Sequence, residues 1–84
     1  MLKVYCVTWC PDCRRTFQYL DLNKIPYESV DIEQSPKQVV DAVIQANDGE
    51  EWVTPTFENN GKWLAFRTVT AEQLPGIMKN LGVI

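Results

Sequence analysis

Thr8-Trp9-Cys10-Pro11-Asp12-Cys13-Arg14-Arg15 joins a short apolar run to an amphipathic one near the start of the chain. Two thiols separated by two residues close a disulfide with little backbone movement. Where the segment that follows is a helix, the first thiol sits at the helix N-terminus. The unpaired N–H groups there and the positive end of the helix dipole favour thiolate over thiol, so Cys10 is the expected nucleophile. A thiol of pKa about 8.5 is only a few per cent ionised at neutral pH, whereas one shifted to about 6 is mostly ionised. Cys13, one turn further in, is the expected resolving partner, and the Cys10-Cys13 pair reads as a redox-active disulfide. A structural cystine over so short a loop would stabilise the fold by only about 2 kcal/mol. A mononuclear zinc site needs about four ligands, but the chain has no histidine and one further cysteine, Cys6, so no metal is expected.

On the N-terminal side, Leu2, Val4 and Cys6 alternate with Lys3, Tyr5 and Val7, which suits a central strand covered on both faces. Cys6 then points into the core as a small buried hydrophobe, with no helix terminus to activate it. On the C-terminal side, Pro11 suits the first helical position, where its missing N–H costs nothing. Cys13, Phe17 and Leu20 mark the helix's buried face, and Asn23-Lys24-Ile25-Pro26 ends it. Tyr27 to Ile32 reads as a second strand, which a helical crossover makes parallel to the first. Ser35-Pro36-Lys37-Gln38 has the form of a capped helix start, with Val39, Val40, Val43 and Ile44 as the buried face and Asn47-Asp48-Gly49 as the stop.

The pattern then changes. Thr54 to Glu58 and Lys62 to Phe66 are short strands joined through Asn59-Asn60-Gly61, a hairpin signal. Thr70-Ala71-Glu72-Gln73 repeats the capping pattern before Leu74, Ile77, Met78 and Leu81, which fall at helical spacing. Pro75 is expected to distort the first turn, and Gly82 to end the helix. The order β-α-β-α-β-β-α predicts an α/β fold, a four-stranded mixed sheet flanked by three helices.

Residues 1–84 allow one domain, with 45% apolar content sufficient for a modest core. No stretch reads as a signal peptide or a membrane span, so a soluble cytoplasmic monomer is expected, in a compartment where paired thiols cycle. A net charge of −3 argues against a nucleic-acid partner.

This order, with Cys10-Pro11-Asp12-Cys13 after the first strand and Thr54-Pro55 before the third, resembles the glutaredoxin family of the thioredoxin-like fold over essentially the whole chain. The resemblance implies that Cys10 attacks, Cys13 resolves, and Pro55 forms a cis bond beside the disulfide. Thr54 would then pair its backbone with a substrate as an added strand does. It further implies that Trp9, Pro11, Asp12 and Arg67 line the substrate site, with Trp9 either covering the disulfide or packing on the active-site loop. Asp12 has an ordinary reading too, as a first-turn residue complementing the helix dipole. Glutathione-binding members carry a lysine three residues before the first cysteine, and a Gly-Gly followed by an aspartate after the hairpin. Here Val7, Ala65-Phe66 and Thr68 stand in those places. Trp63-Leu64-Ala65-Phe66-Arg67 looks instead like a segment of the glutaredoxin-like electron donors to ribonucleotide reductase, while the Thr-Pro-Thr-Phe run is similar to mycoredoxin-like proteins. The resemblance thus implies a dithiol oxidoreductase with no bound cofactor. Its substrates would be protein disulfides, ribonucleotide reductase among the candidates, and its electron donor a thioredoxin-reductase-type flavoprotein or glutathione. The alternatives within the same fold are a glutathione-dependent glutaredoxin and an iron–sulfur cluster carrier.

Overall fold

The computed structural model describes every residue except Asp48, Glu50, Val53, Phe66, Arg67, Thr68 and Ala71. The alternating N-terminal run forms β1 (Leu2–Cys6), and the segment opened by Pro11 forms α1 (Pro11–Leu22). Then follow β2 (Tyr27–Asp31), a single 3-10 turn (Ile32–Gln34), α2 (Lys37–Ala46), β3 (Thr56–Asn59), β4 (Lys62–Ala65) and α3 (Leu74–Asn80). The sheet order is β2-β1-β3-β4. β1 runs parallel to β2, with Leu2 opposite Tyr27, and antiparallel to β3, with Val4 opposite Phe57. β4 completes the hairpin, with Leu64 opposite Phe57. The fold is thus the expected four-stranded mixed sheet with three helices.

Strand parity divides the core between the two faces of β1. Leu2 and Val4 pack with Leu20 of α1, Phe57, and Leu74, Ile77 and Met78 of α3. Tyr5 and Val7 pack with Ile32 and Val43 of α2, and the Tyr5 and Trp63 rings stack at 5.3 Å. Trp52 and Trp63 are packing residues at the margin of this second cluster.

The end of α1 shows how the sequence stops a helix without glycine. Lys24 takes a φ of 55°. Its N–H reaches the Asp21 carbonyl, and the Ile25 N–H reaches that of Leu20 at 2.9 Å. This is the Schellman arrangement, closed by burial of Ile25 against Leu20. Gly82, with φ 75°, ends α3 in the same way. In the hairpin both Asn60 and Gly61 have positive φ, as a two-residue turn of type I′ demands.

Several boundaries differ from the expectations. Ile32 leaves the second strand to begin the 3-10 turn, because Asp31 Oδ1 accepts the Glu33 N–H at 3.0 Å. Ser35 does not cap α2. Its hydroxyl donates to the Asp31 carbonyl at 2.7 Å, and Pro36 occupies the cap position without a side-chain hydrogen bond. Thr54 and Pro55 precede β3, which pairs only from Thr56. The second capping pattern is half realised, since Gln73 Oε1 accepts the Thr70 N–H at 3.0 Å while α3 begins only at Leu74. Pro75 therefore lies in a first turn that tolerates it. The expected strand residue Phe66, and Asp48 of the expected helix stop, lie outside the described residues.

Candidate active site

Cys10 is the N-cap of α1, set there because Pro11 fixes the first helical turn. The Cys13 N–H donates to Cys10 Sγ at 3.4 Å, so one of the helix's orphan donors already points at the sulfur. The Cys10 thiol in turn lies 3.9 Å from the Thr54 carbonyl, to which it donates. The Thr54–Pro55 bond is cis, and Pro55 is buried between this contact and β3. Cys10, Cys13, Thr54 and Pro55, drawn from opposite ends of the chain's first two-thirds, thus meet at one end of the sheet. All three cysteines are free thiols.

The electrostatics depart from the expectation for Cys10. Burial pushes its thiol up from the ordinary value of 9.0, and hydrogen bonding with the Thr54 side chain and the Cys13 N–H only partly offsets this. With 7% of its surface exposed, Cys10 loses more solvation as a thiolate than the helix N-terminus returns. The Cys13 thiol is held far higher, first by its hydrogen bond with Cys6 and then by its own burial. Of the two motif cysteines, Cys10 therefore keeps the greater share of thiolate. Cys6 moves the opposite way, lowered chiefly by that same hydrogen bond with Cys13. Its thiol also donates to the Val30 carbonyl at 3.7 Å. Cys6 is buried in the core as expected, and it shares its cluster with both motif cysteines. The signal was present in the sequence: Leu2, Val4 and Cys6 share one strand face, and Cys13 lies on the buried side of the helix covering it.

A raised pKa keeps Cys10 a thiol through the neutral range, so thiolate appears only as pH rises. Alkylation of Cys10 by iodoacetamide, followed by mass mapping, is expected to accelerate about tenfold per pH unit from neutrality toward pH 9. A plateau reached below pH 7 would show that the helix N-terminus outweighs burial.

Trp9 is 64% exposed, and its indole N–H donates to Glu33 Oε1 at 3.1 Å. The ring is therefore tethered beside the motif with its faces open. Both carboxylate oxygens of Asp12 are engaged within the chain. Oδ1 pairs with Arg15, and Oδ2 accepts the N–H of buried Val69 at 3.2 Å. This carboxylate ties the first turn of α1 to the segment before α3. Neither Glu33 nor Val69 announces itself in the sequence as a partner of the motif, because each lies far along the chain. Pro11 is exposed at the head of the helix. Arg67 lies outside the described residues. Among the described residues no cluster of acidic and thiol side chains is arranged to hold a metal ion, and no helix is long and apolar enough to cross a membrane.

The glutaredoxin family model matches residues 2–55. No curated protein matches the sequence. Among solved structures, glutaredoxin grx-1 of Archaeoglobus fulgidus superposes with a TM-score of 0.72 at 20% identity, over 93% of this chain and 85% of that one. The thioredoxin-like protein BC3987 superposes with 0.69 at 21% identity over the full length of both chains. A wheat glutaredoxin gives 0.62 at 13% identity, over 98% of this chain and 73% of its own.

Proposed function

Because the chain belongs to the glutaredoxin family, we propose that it is a thiol-disulfide oxidoreductase working through Cys10 and Cys13. The observation that carries this reading is the meeting of Cys10, Cys13 and the Thr54 carbonyl at the head of α1. In the forward reaction the Cys10 thiolate attacks one sulfur of a disulfide, and the other sulfur leaves as a thiolate. Cys13 then attacks Cys10 Sγ, the substrate's second sulfur leaves, and two electrons have passed to the substrate. The raised Cys10 pKa is compatible with this chemistry. Each unit above ambient pH lowers the thiolate population tenfold, but the thiolate that forms is about threefold more nucleophilic. The Thr54 backbone offers an extended partner for a peptide substrate, and the exposed Trp9 ring lies at the rim.

The electron donor in this reading is a thioredoxin-reductase-type flavoprotein, and the setting a reducing cytoplasm. Its protein substrates belong to the class of disulfide enzymes that includes ribonucleotide reductase. Glutathione carries two carboxylates, and gripping them takes charged hydrogen bonds worth about 1.5 to 3 kcal/mol each. Val7 offers no charge where a lysine would be needed, and Thr68 stands in place of the aspartate that would hold the amino group. Losing two such contacts weakens glutathione about a hundredfold or more. Reduction of the oxidised protein by NADPH with thioredoxin reductase should therefore outpace reduction by millimolar glutathione with its own reductase. Rapid glutathione reduction beside an inert thioredoxin reductase would reverse the assignment.

A further inference from the structure

Cys6 is the one thiol that this reaction leaves unused. It lies in one buried cluster with both motif cysteines, and its hydrogen bond with Cys13 is the largest influence on its thiol. Cys13 hydrogen-bonds Cys10 as well, and the Cys13 N–H lies 3.4 Å from Cys10 Sγ. Cys13 is thus the middle sulfur of three. Cys6 is 7% exposed and Cys13 1%, and both sit in one apolar cluster with Tyr5, Ile32 and Val43. Cys10 is as buried as Cys6, so exposure does not separate these two; what distinguishes Cys10 is its place at the helix N-cap.

Resting on the Cys10-Cys13 reading above, we infer that Cys6 exchanges into the oxidised motif and stores its disulfide one position deeper. The Cys6 sulfur attacks Cys13 Sγ, the Cys10–Cys13 bond breaks, and Cys10 leaves as a thiolate while a Cys6–Cys13 bond forms. One disulfide stands on each side of the exchange, so no oxidant or reductant is consumed. The proton released by Cys6 is balanced by the one that Cys10 takes up from solvent. Cys10 is a suitable leaving group, since its thiolate returns to the helix N-cap where the Cys13 N–H already points at it. The consequence is a second oxidised form with a different activity. Its nucleophile is free at the surface end of the site while its resolving sulfur is locked inside, so a mixed disulfide on Cys10 is held rather than released.

The sequence makes the test direct, because chymotryptic cleavage after Trp9 separates Cys6 from the other two cysteines. The full chain is oxidised with oxidised glutathione, quenched in acid, alkylated under denaturing conditions and mapped by mass spectrometry. A Cys10–Cys13 disulfide appears as a loop within one peptide, and a Cys6–Cys13 disulfide as two cross-linked peptides. The cross-linked pair, with Cys10 alkylated or glutathionylated, is expected in about a tenth or more of the molecules, the share that an energy gap within about 1.4 kcal/mol allows. Cys6→Val, close in volume and without sulfur, should abolish it and leave Cys10–Cys13 as the whole of the intramolecular disulfide. Formation of the Cys10–Cys13 loop with no cross-linked Cys6–Cys13 pair detected overturns the exchange and leaves the functional reading intact. Failure of the Cys10–Cys13 loop itself to form overturns both.

Discussion

Cys10→Ser is expected to lower disulfide-reducing turnover by about a thousandfold or more, whereas Cys13→Ser is expected to turn the protein into a trap for its substrates. The serine hydroxyl at position 10 is not ionised at any working pH, so the step that opens the substrate disulfide is lost outright. Cys13 and Cys6 do not replace it. Neither occupies the helix N-cap, and Cys13 is held protonated by its hydrogen bond with Cys6 and then by burial. In Cys13→Ser the nucleophile remains at the helix N-cap, but the resolving sulfur that would displace the product is gone. Mixed disulfides with protein substrates should accumulate, visible as mass adducts that dithiothreitol removes. Adducts of equal yield in Cys10→Ser, mapped to Cys6, would contradict the assignment of roles.

Local chemistry was the readable part of this chain. Pro11 after Cys10, Asn60-Gly61 in the hairpin and Gly82 after the last helix each impose a backbone state that few other residues supply, and each appears where expected. Boundaries failed where two local hydrogen bonds competed. Ser35 had the form of a helix cap, yet its hydroxyl found the Asp31 carbonyl first, because the 3-10 turn brings that oxygen within 2.7 Å. The same competition took Ile32 out of its strand. The Cys10 pKa went against expectation for a different reason. A helix terminus is visible in sequence, but the depth at which it is buried is a property of the assembled sheet and helices, and desolvation won. Asp12 gave no sign of reaching Val69, fifty-seven residues away, since a tie of that length depends on where α3 returns.

Phe57→Ala is expected to cost about 3 to 5 kcal/mol of folding stability, the range for emptying a large aromatic site in a close-packed core. Phe57 is fully buried at the centre of the sheet, paired with Val4 of β1 and Leu64 of β4, and packs in the larger apolar cluster with Leu20, Leu74 and Met78. A domain of this size has total stability of about 5 to 15 kcal/mol, so the loss is a large fraction of it. At about 4 to 8 °C per kcal/mol, the melting temperature should fall by roughly 15 to 30 °C. Phe57→Leu, which keeps most of the apolar volume, should cost about 1 to 1.5 kcal/mol, and Leu22→Ala, at a position 83% exposed, under about 0.5 kcal/mol. The site should suffer below the melting temperature as well. Phe57 stands two residues after Pro55, and its packing fixes the start of β3, from which Thr54 extends its carbonyl to Cys10. Turnover of Phe57→Ala should therefore fall at temperatures where circular dichroism still shows a folded chain. A variant melting within a few degrees of wild type would mean that the sheet is not anchored through Phe57, and that Cys10 and Thr54 are held together by something else.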